Sequence, residues 1–171
     1  MTTPLRLGIA GLGTVGVGIV RIVQKHTALL ELRAGRPIEI VAVSARSKTK
    51  DRGVDLSGYA WEDDPVDLAK RNDIDVFIEV MGGHEGPAKD ATEAAIASGK
   101  DVVSANKALL AIHGQALAEA AEDAGHGGDD ERGLPGGGVG GSLGGVLEVA
   151  GDLDLAAPPD VVAPPLVVDA M

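Results

Sequence analysis

The sequence predicts an α/β protein: a doubly wound parallel sheet, truncated, followed by a Gly/Pro-rich irregular C-terminal tail. Three observations predict it. Short apolar strand-like segments alternate with helix-length segments from about residue 4 to residue 124. Strands joined by helices pair in parallel, because a parallel connection needs a crossover. The strand segments lack clean apolar/polar alternation, which is the mark of burial on both faces.

The elements follow in order. Leu5-Arg6-Leu7-Gly8-Ile9-Ala10 is the first strand and runs into Gly11-Leu12-Gly13-Thr14-Val15-Gly16. From Thr14 to about Arg33 the residues Val15, Ile19, Ile22, Val23 and Leu30 recur at helical spacing. Gly35 and Pro37 stop that helix. Ile38 to Ser44 is a second strand, rich in β-branched residues. Ala45 to Asp64 is polar and reads mostly as loop, and Pro65 to Lys70 forms a short helix. Asp75 to Val80 is a third strand, ending at Met81-Gly82-Gly83. Pro87 suits a first helical turn, and the Ala-rich stretch Ala88 to Ser98 is helical, capped by Gly99. Asp101 to Ser104 is a fourth strand, and Ala108 to Asp123 a last helix, ended by Gly125.

Composition divides the chain at Ala124/Gly125. The 171 residues carry a net charge of −11 and contain no Cys and three aromatics, Tyr59, Trp61 and Phe77. Residues 1–124 hold 14 basic and 18 acidic residues, a net of −4, whereas residues 125–171 hold one basic and eight acidic, a net of −7. The last 47 residues contain 12 of the 25 Gly and five of the nine Pro. With so few aromatics the core is aliphatic. The absence of Cys excludes disulfides, thiolate catalysis and Cys-ligated zinc, and no metal site is expected. The acidic balance argues against nucleic acid as a partner. No apolar run reaches the roughly 18–20 residues of a membrane span, and Met1 to Gly13 does not read as a signal peptide. A cytoplasmic location is expected.

In a doubly wound sheet the ligand crevice lies at the carboxyl ends of the strands. Four loops occupy that rim here. Gly11-x-Gly13-x-x-Gly16 sits between a strand and a helix, the context in which this pattern binds a dinucleotide. Gly11 permits the tight turn, Gly13 lets a pyrophosphate approach the backbone, and Gly16 lets helix pack closely on strand. Thr14, Val15 and Gly16 then lie at a helix N-terminus, where free N–H groups favour an anion. The fold is thus Rossmann-like. After the second strand no carboxylate stands where NAD sites place one for the ribose hydroxyls; the chain instead reads Arg46, Lys48 and Lys50. A 2′-phosphate pairs well with the Arg46 fork, so the expected cofactor is NADP, with NAD as the alternative. The plain reading of these three cations is a solvated loop.

The third loop, Met81 to Gly86, is small enough for Gly82 to lie against the cofactor. His84 reads as ordinary surface. Glu79 is either a buried functional carboxylate or a strand-end residue reaching solvent. The fourth loop, Ser104-Ala105-Asn106-Lys107, places Asn106 and Lys107 at a strand end before a helix. There a Lys can hydrogen-bond a developing alkoxide or move a proton. Equally, Asn106 is a plain N-cap.

Together Gly-Leu-Gly-Thr-Val-Gly at 11–16, Met81-Gly82-Gly83, Pro87-Ala88 and the run Gly99 to Ala111 resemble the N-terminal domain of homoserine dehydrogenase, over about residues 4–125. The resemblance implies NAD(P)-dependent interconversion of L-aspartate 4-semialdehyde and L-homoserine, a step toward threonine, methionine and isoleucine. It implies a pyrophosphate at Gly11, Gly13, Thr14, Val15 and Gly16, and the adenosine ribose or its phosphate at Arg46 and Lys48. It places Asn106 and Lys107 by the nicotinamide and substrate, with Lys107 the catalytic or substrate-polarising residue. Phosphorylating semialdehyde dehydrogenases, which need a nucleophilic thiol, are disfavoured by the lack of Cys.

After Gly125 the resemblance stops. The family's Phe-Glu-Ala and Ala-Gly-Gly-x-Pro segments and its substrate and dimerisation domain are not recognisable, although the family is a homo-oligomer. The domains are therefore read as 1–124, dinucleotide-binding, and 125–171, a low-complexity tail. Three readings of the tail compete. One is a flexible Gly-rich linker. Another is a short module in which Val146 to Val149 and Leu166 to Val168 form strands. The third, which we favour, is a product of a reading frame shifted near codon 125. The chain is expected to be a cofactor-binding fragment inactive alone. The alternative is a non-catalytic dinucleotide-binding or sensing module with a partner-binding tail.

Overall fold

The computed structural model describes residues 2–124 together with the strand residues 142–143 and 146–148. The chain forms β1 (Leu5–Ala10), α1 (Thr14–Lys25), α2 (Thr27–Ala34), β2 (Ile38–Ser44), β3 (Ala60–Glu62), α3 (Pro65–Lys70), β4 (Val76–Glu79), α4 (Pro87–Ala97), β5 (Asp101–Ser104), α5 (Lys107–Asp123), β6 (Ser142–Leu143) and β7 (Val146–Glu148). Among the described residues seven strands make one sheet in the order β3-β2-β1-β4-β5-β7-β6. All pair in parallel except β6, which runs antiparallel to β7. The doubly wound sheet expected from the sequence is therefore present. Its order turns about at β1, which lies between β2 and β4, and that point opens the crevice.

The strands carry apolar side chains on both faces, as helical cover on both sides requires. On one face Leu7 and Ile9 of β1, Ile40 and Val43 of β2 and Val76 and Ile78 of β4 pack with Val20 of α1. On the other, Ala10, Ala42, Phe77 and Val102 pack against Leu68 of α3, Ala91 and Ala95 of α4, and Leu109 and Leu117 of α5. Alanines line much of this second layer, which lets helices approach the sheet closely and accounts for a core with one aromatic ring, Phe77. Arg6 closes the opposite end of the sheet: its guanidinium grips Asp75 through Nε (3.0 Å) and Nη2 (2.7 Å).

The structure corrects two expectations. The helix expected from Thr14 to Arg33 is two helices that meet at His26, whose backbone (φ −123°, ψ 26°) leaves the helical region. Apolar periodicity runs across the break, so spacing alone does not show it. The polar stretch Ala45 to Asp64 is not all loop, because Ala60–Glu62 forms the edge strand β3 beside β2. Three half-buried residues leave no periodic signal; Arg71 anchors this edge by hydrogen bonds to Glu62 and Asp73. Of the two strands in the short-module reading of the tail, Val146 to Val149 is present in part as β7, Val146–Glu148, paired with β5 in the register Val102↔Val146. The expected strand at Leu166 to Val168, and the linker and altered-frame readings of the rest of the tail, lie outside the described residues.

Candidate functional site

The four rim loops converge because the sheet aligns their strands. Gly11 N–H donates to the Ser44 carbonyl at 2.8 Å, joining the glycine loop to the end of β2. Val80 N–H donates to the Ala10 carbonyl at 2.9 Å, and Ala105 N–H to the Glu79 carbonyl at 3.2 Å. The glycine loop, residues 44–46, residues 80–83 and residues 104–107 thus stand side by side along the carboxyl ends of β2, β1, β4 and β5.

The glycine loop is shaped by two tight contacts. Gly11 has φ +104°, and a Cβ there would stand 2.6 Å from the Val80 carbonyl oxygen. A Cβ on Gly16 would stand 1.9 Å from the Gly11 carbonyl oxygen, so α1 crosses the loop at a distance only hydrogen permits. Gly13 is different: it caps α1 with no side-chain hydrogen bond, and nothing lies within 4 Å of its notional Cβ. No acidic residue occupies the first turn of α1. The N–H groups of Thr14, Val15 and Gly16 precede the first intrahelical bond, from Val17 N–H to the Gly13 carbonyl, at the positive end of the helix dipole; Thr14 and Val15 are exposed and Gly16 is buried. This is the donor set and the room that a pyrophosphate needs.

Beside it, Arg46 and Lys48 are exposed in the loop after β2. That loop is tied down by Arg52, whose role no local sequence pattern shows. Arg52 donates to the carbonyls of Leu12 (3.2 Å), Ser47 (2.6 Å) and Lys50 (2.8 Å).

The β4 and β5 ends form a second network. Glu79 is fully buried, which settles the two readings of it against a solvent-reaching side chain. One carboxylate oxygen accepts from Met81 N–H at 2.7 Å and the other from the Ser104 hydroxyl at 2.8 Å. Ser104 Oγ accepts in turn from Asn106 N–H at 3.0 Å. Asn106 is buried; its Oδ1 accepts from Leu109 N–H at 3.2 Å, and its Nδ2 donates to the Gly83 carbonyl. Asn106 is therefore the N-cap of α5, the plainer of the two readings, and it also ties α5 to the loop holding Gly82. That loop runs through positive φ at Gly82 (82°) and Gly83 (85°). Lys107, the first residue of α5, is exposed on this rim, as is His84. Ser104 was not singled out in the sequence, because its role depends on the β4–β5 register. Among the described residues no group of His, Asp and Glu is arranged to hold a metal ion. Among them too, no helix is long and apolar enough to cross a membrane.

A parallel sheet with a glycine loop leading into a helix N-terminus at the switch point defines a Rossmann-like nucleotide-binding domain. Residues 11–127 match the family model of the homoserine dehydrogenase NAD binding domain. The chain belongs to the homoserine dehydrogenase family, as its NAD-binding domain, and its cofactor class is a nicotinamide dinucleotide. It is 41% identical over 121 residues to homoserine dehydrogenase of Mycobacterium tuberculosis, covering 71% of this chain and 27% of that one. With the Bacillus subtilis enzyme it shares 42% over 120 residues, 70% of this chain and 28% of the other. The crystal structure of Staphylococcus aureus homoserine dehydrogenase at pH 7.0 superposes with a TM-score of 0.67 at 33% identity, covering 73% of this chain and 32% of that one. The Thiobacillus denitrificans homoserine dehydrogenase structure gives 0.66 at 36% identity, with 72% and 28% covered. The chain thus spans little more than a quarter of the curated relatives it matches.

Proposed function

We propose that this chain is the cofactor-holding part of an NADP-preferring homoserine dehydrogenase. In that reaction, NADPH supplies a hydride to the aldehyde carbon of L-aspartate 4-semialdehyde, and a proton completes the alcohol of L-homoserine. The observation that carries the reading is the glycine loop, open at Gly13 with Thr14 and Val15 exposed at the start of α1, and followed in the sheet by exposed Arg46 and Lys48 with no carboxylate at the end of β2. In this reading Gly11, Gly13, Thr14, Val15 and Gly16 receive the pyrophosphate, and Arg46 and Lys48 the 2′-phosphate. Gly82 and Asn106 border the nicotinamide. Lys107, exposed at the start of α5, is proposed to donate an ammonium hydrogen bond to the carbonyl oxygen as it becomes an alkoxide.

Hydride transfer needs substrate held against the nicotinamide in a near-attack geometry. Residues 2–124 supply the cofactor side of that arrangement, so we propose negligible turnover by the chain alone. Fluorescence titration with NADPH and NADH tests the cofactor reading: NADPH binds at least about tenfold more tightly, and Arg46→Ala removes most of the difference. Equal affinities overturn the NADP preference, and no binding of either overturns the cofactor role. Ordinary turnover with homoserine and NADP overturns the inactivity. Turnover that appears only after adding a separately expressed substrate domain supports the enzyme reading over the sensing module. For residues 125–171 we propose an altered reading frame; translating the other two frames from codon 125 yields the Phe-Glu-Ala segment or refutes it.

A further inference from the structure

The loop after β2 is exposed from Arg46 to Lys50 and belongs to no strand or helix. One side chain nevertheless fixes it from within. Arg52 spends three of its donors on three carbonyls: Nη2 on Ser47 at 2.6 Å, Nη1 on Lys50 at 2.8 Å, and Nε on Leu12 at 3.2 Å. The first two lie in the loop itself. The third lies 40 residues earlier in sequence, in the glycine loop between Gly11 and Gly13. The guanidinium also sits over the Trp61 ring, 5.7 Å from its centroid. Trp61 is held in place by Nε1–H donation to Asp63 at 2.8 Å. A planar, permanently charged fork is the side chain that reaches three acceptors in different directions while resting on an aromatic face.

The local charge points the same way. Arg46, Lys48, Lys50 and Arg52 are four cations within seven residues, opposed there by Asp51 alone. The Asp51 carboxylate is engaged, accepting from Gly53 N–H at 2.8 Å. The segment is therefore cationic and exposed, and Arg52 ties it to the glycine loop at Leu12.

We infer that Arg52 is a positioning residue for cofactor discrimination: by clasping the Leu12, Ser47 and Lys50 carbonyls it holds the Arg46–Lys50 segment at the offset from the glycine loop that a 2′-phosphate requires. This rests on the NADP reading of the same site. Arg52 touches no cofactor in this account; it acts through Arg46 and Lys48.

The test uses the full 171-residue chain with Arg52→Gln and Arg52→Lys, in two measurements. Hydrogen exchange reads the clasp without any ligand. Arg52→Gln speeds exchange of the 46–50 amides and leaves β1 and β4 amides unchanged. Titration with 2′,5′-ADP and 5′-ADP reads discrimination. Arg52→Gln weakens 2′,5′-ADP about tenfold and 5′-ADP less than about twofold. Arg52→Lys follows Arg52→Gln, because a single ammonium does not span three carbonyls. Unaltered exchange at 46–50 overturns the clasp. Equal weakening of both nucleotides overturns the role in discrimination and leaves a structural one. If the parent chain itself shows no preference for 2′,5′-ADP, the NADP reading and the discrimination role fall together, while the exchange measurement still decides the clasp.

Discussion

The Glu79 carboxylate accepts a hydrogen bond from the Ser104 hydroxyl at 2.8 Å, and both side chains are sealed from solvent at paired positions of β4 and β5. The other oxygen of Glu79 takes the Met81 N–H. The carboxylate thus locks the strand ends from which the Gly82 loop and the Asn106–Lys107 corner depart. Glu79→Ala strands one buried donor, the Ser104 hydroxyl, and one half-buried donor, the Met81 N–H, and leaves a cavity, at a cost of about 3–5 kcal/mol. Glu79→Gln is milder, about 1 kcal/mol, since its carbonyl oxygen serves Met81 N–H while its amide donates to the second lone pair of Ser104 Oγ. Urea denaturation midpoints of the two variants check the order.

This network also marks how far the sequence is legible. The parallel sheet, the glycine loop and the strand-end location of Asn106 and Lys107 can be read from local pattern, because periodicity and turn chemistry are local properties. The partners of Glu79 cannot. Ser104 lies 25 residues from Glu79, and only the β4–β5 register brings the two together. Arg52 escapes for the same reason, since its Leu12 acceptor lies across the β1–β2 connection. His26 breaks a helix whose apolar spacing continues, and β3 is too short to announce itself.

The glycine loop separates folding from binding within three residues. Gly16→Ala sets a Cβ 1.9 Å from the Gly11 carbonyl oxygen, a backbone atom that cannot swing away. Its expected cost is about 3 kcal/mol or more, with loss of the folded baseline in thermal scans. Gly13→Ala meets nothing within 4 Å, and φ −80° suits alanine. This variant keeps its melting temperature within about 2 °C, yet under the proposed cofactor reading its methyl group stands where a pyrophosphate approaches, so NADPH binding is expected to weaken about tenfold or more. Full binding by the folded variant would count against a phosphate at this loop.

The Arg6–Asp75 pair makes stability depend on pH. The Arg6 guanidinium, aided by the Arg6 N–H at 2.9 Å, holds the Asp75 carboxyl below its ordinary range. Arg71 does the same for Asp73. A depressed folded-state pKa contributes stability that is complete above the unfolded value near about 4 and is lost as pH falls through the folded value. Both partners in the first pair are about one-third exposed (35% and 36%), so solvent screening limits its contribution to about 1 kcal/mol. Asp75→Asn is expected to lose that amount at neutral pH and to converge with the parent chain at an acid pH below the depressed folded-state value of Asp75. Parallel urea titrations at the two pH values provide the comparison; a constant gap would assign the effect to packing instead of charge.

Asn106 serves two partners with two atoms, and substitution can take them apart. Oδ1 caps α5 through Leu109 N–H, and Nδ2 holds the Gly83 carbonyl. Asn106→Asp retains the cap and adds a favourable charge at the N-terminus of α5, but it turns a carboxylate oxygen toward a carbonyl oxygen. Asn106→Ser keeps a capping oxygen with too short a reach for Gly83, and Asn106→Ala removes both contacts. If the cap is the main contribution to stability, Asp and Ser variants stay within about 0.5 kcal/mol of the parent and Ala loses about 1–2 kcal/mol. If the Gly83 tie matters to the cofactor, all three variants weaken NADPH binding while 2′,5′-ADP, which lacks the nicotinamide half, binds as before. Parallel loss of stability and of both ligands would instead mean that Asn106 only caps a helix.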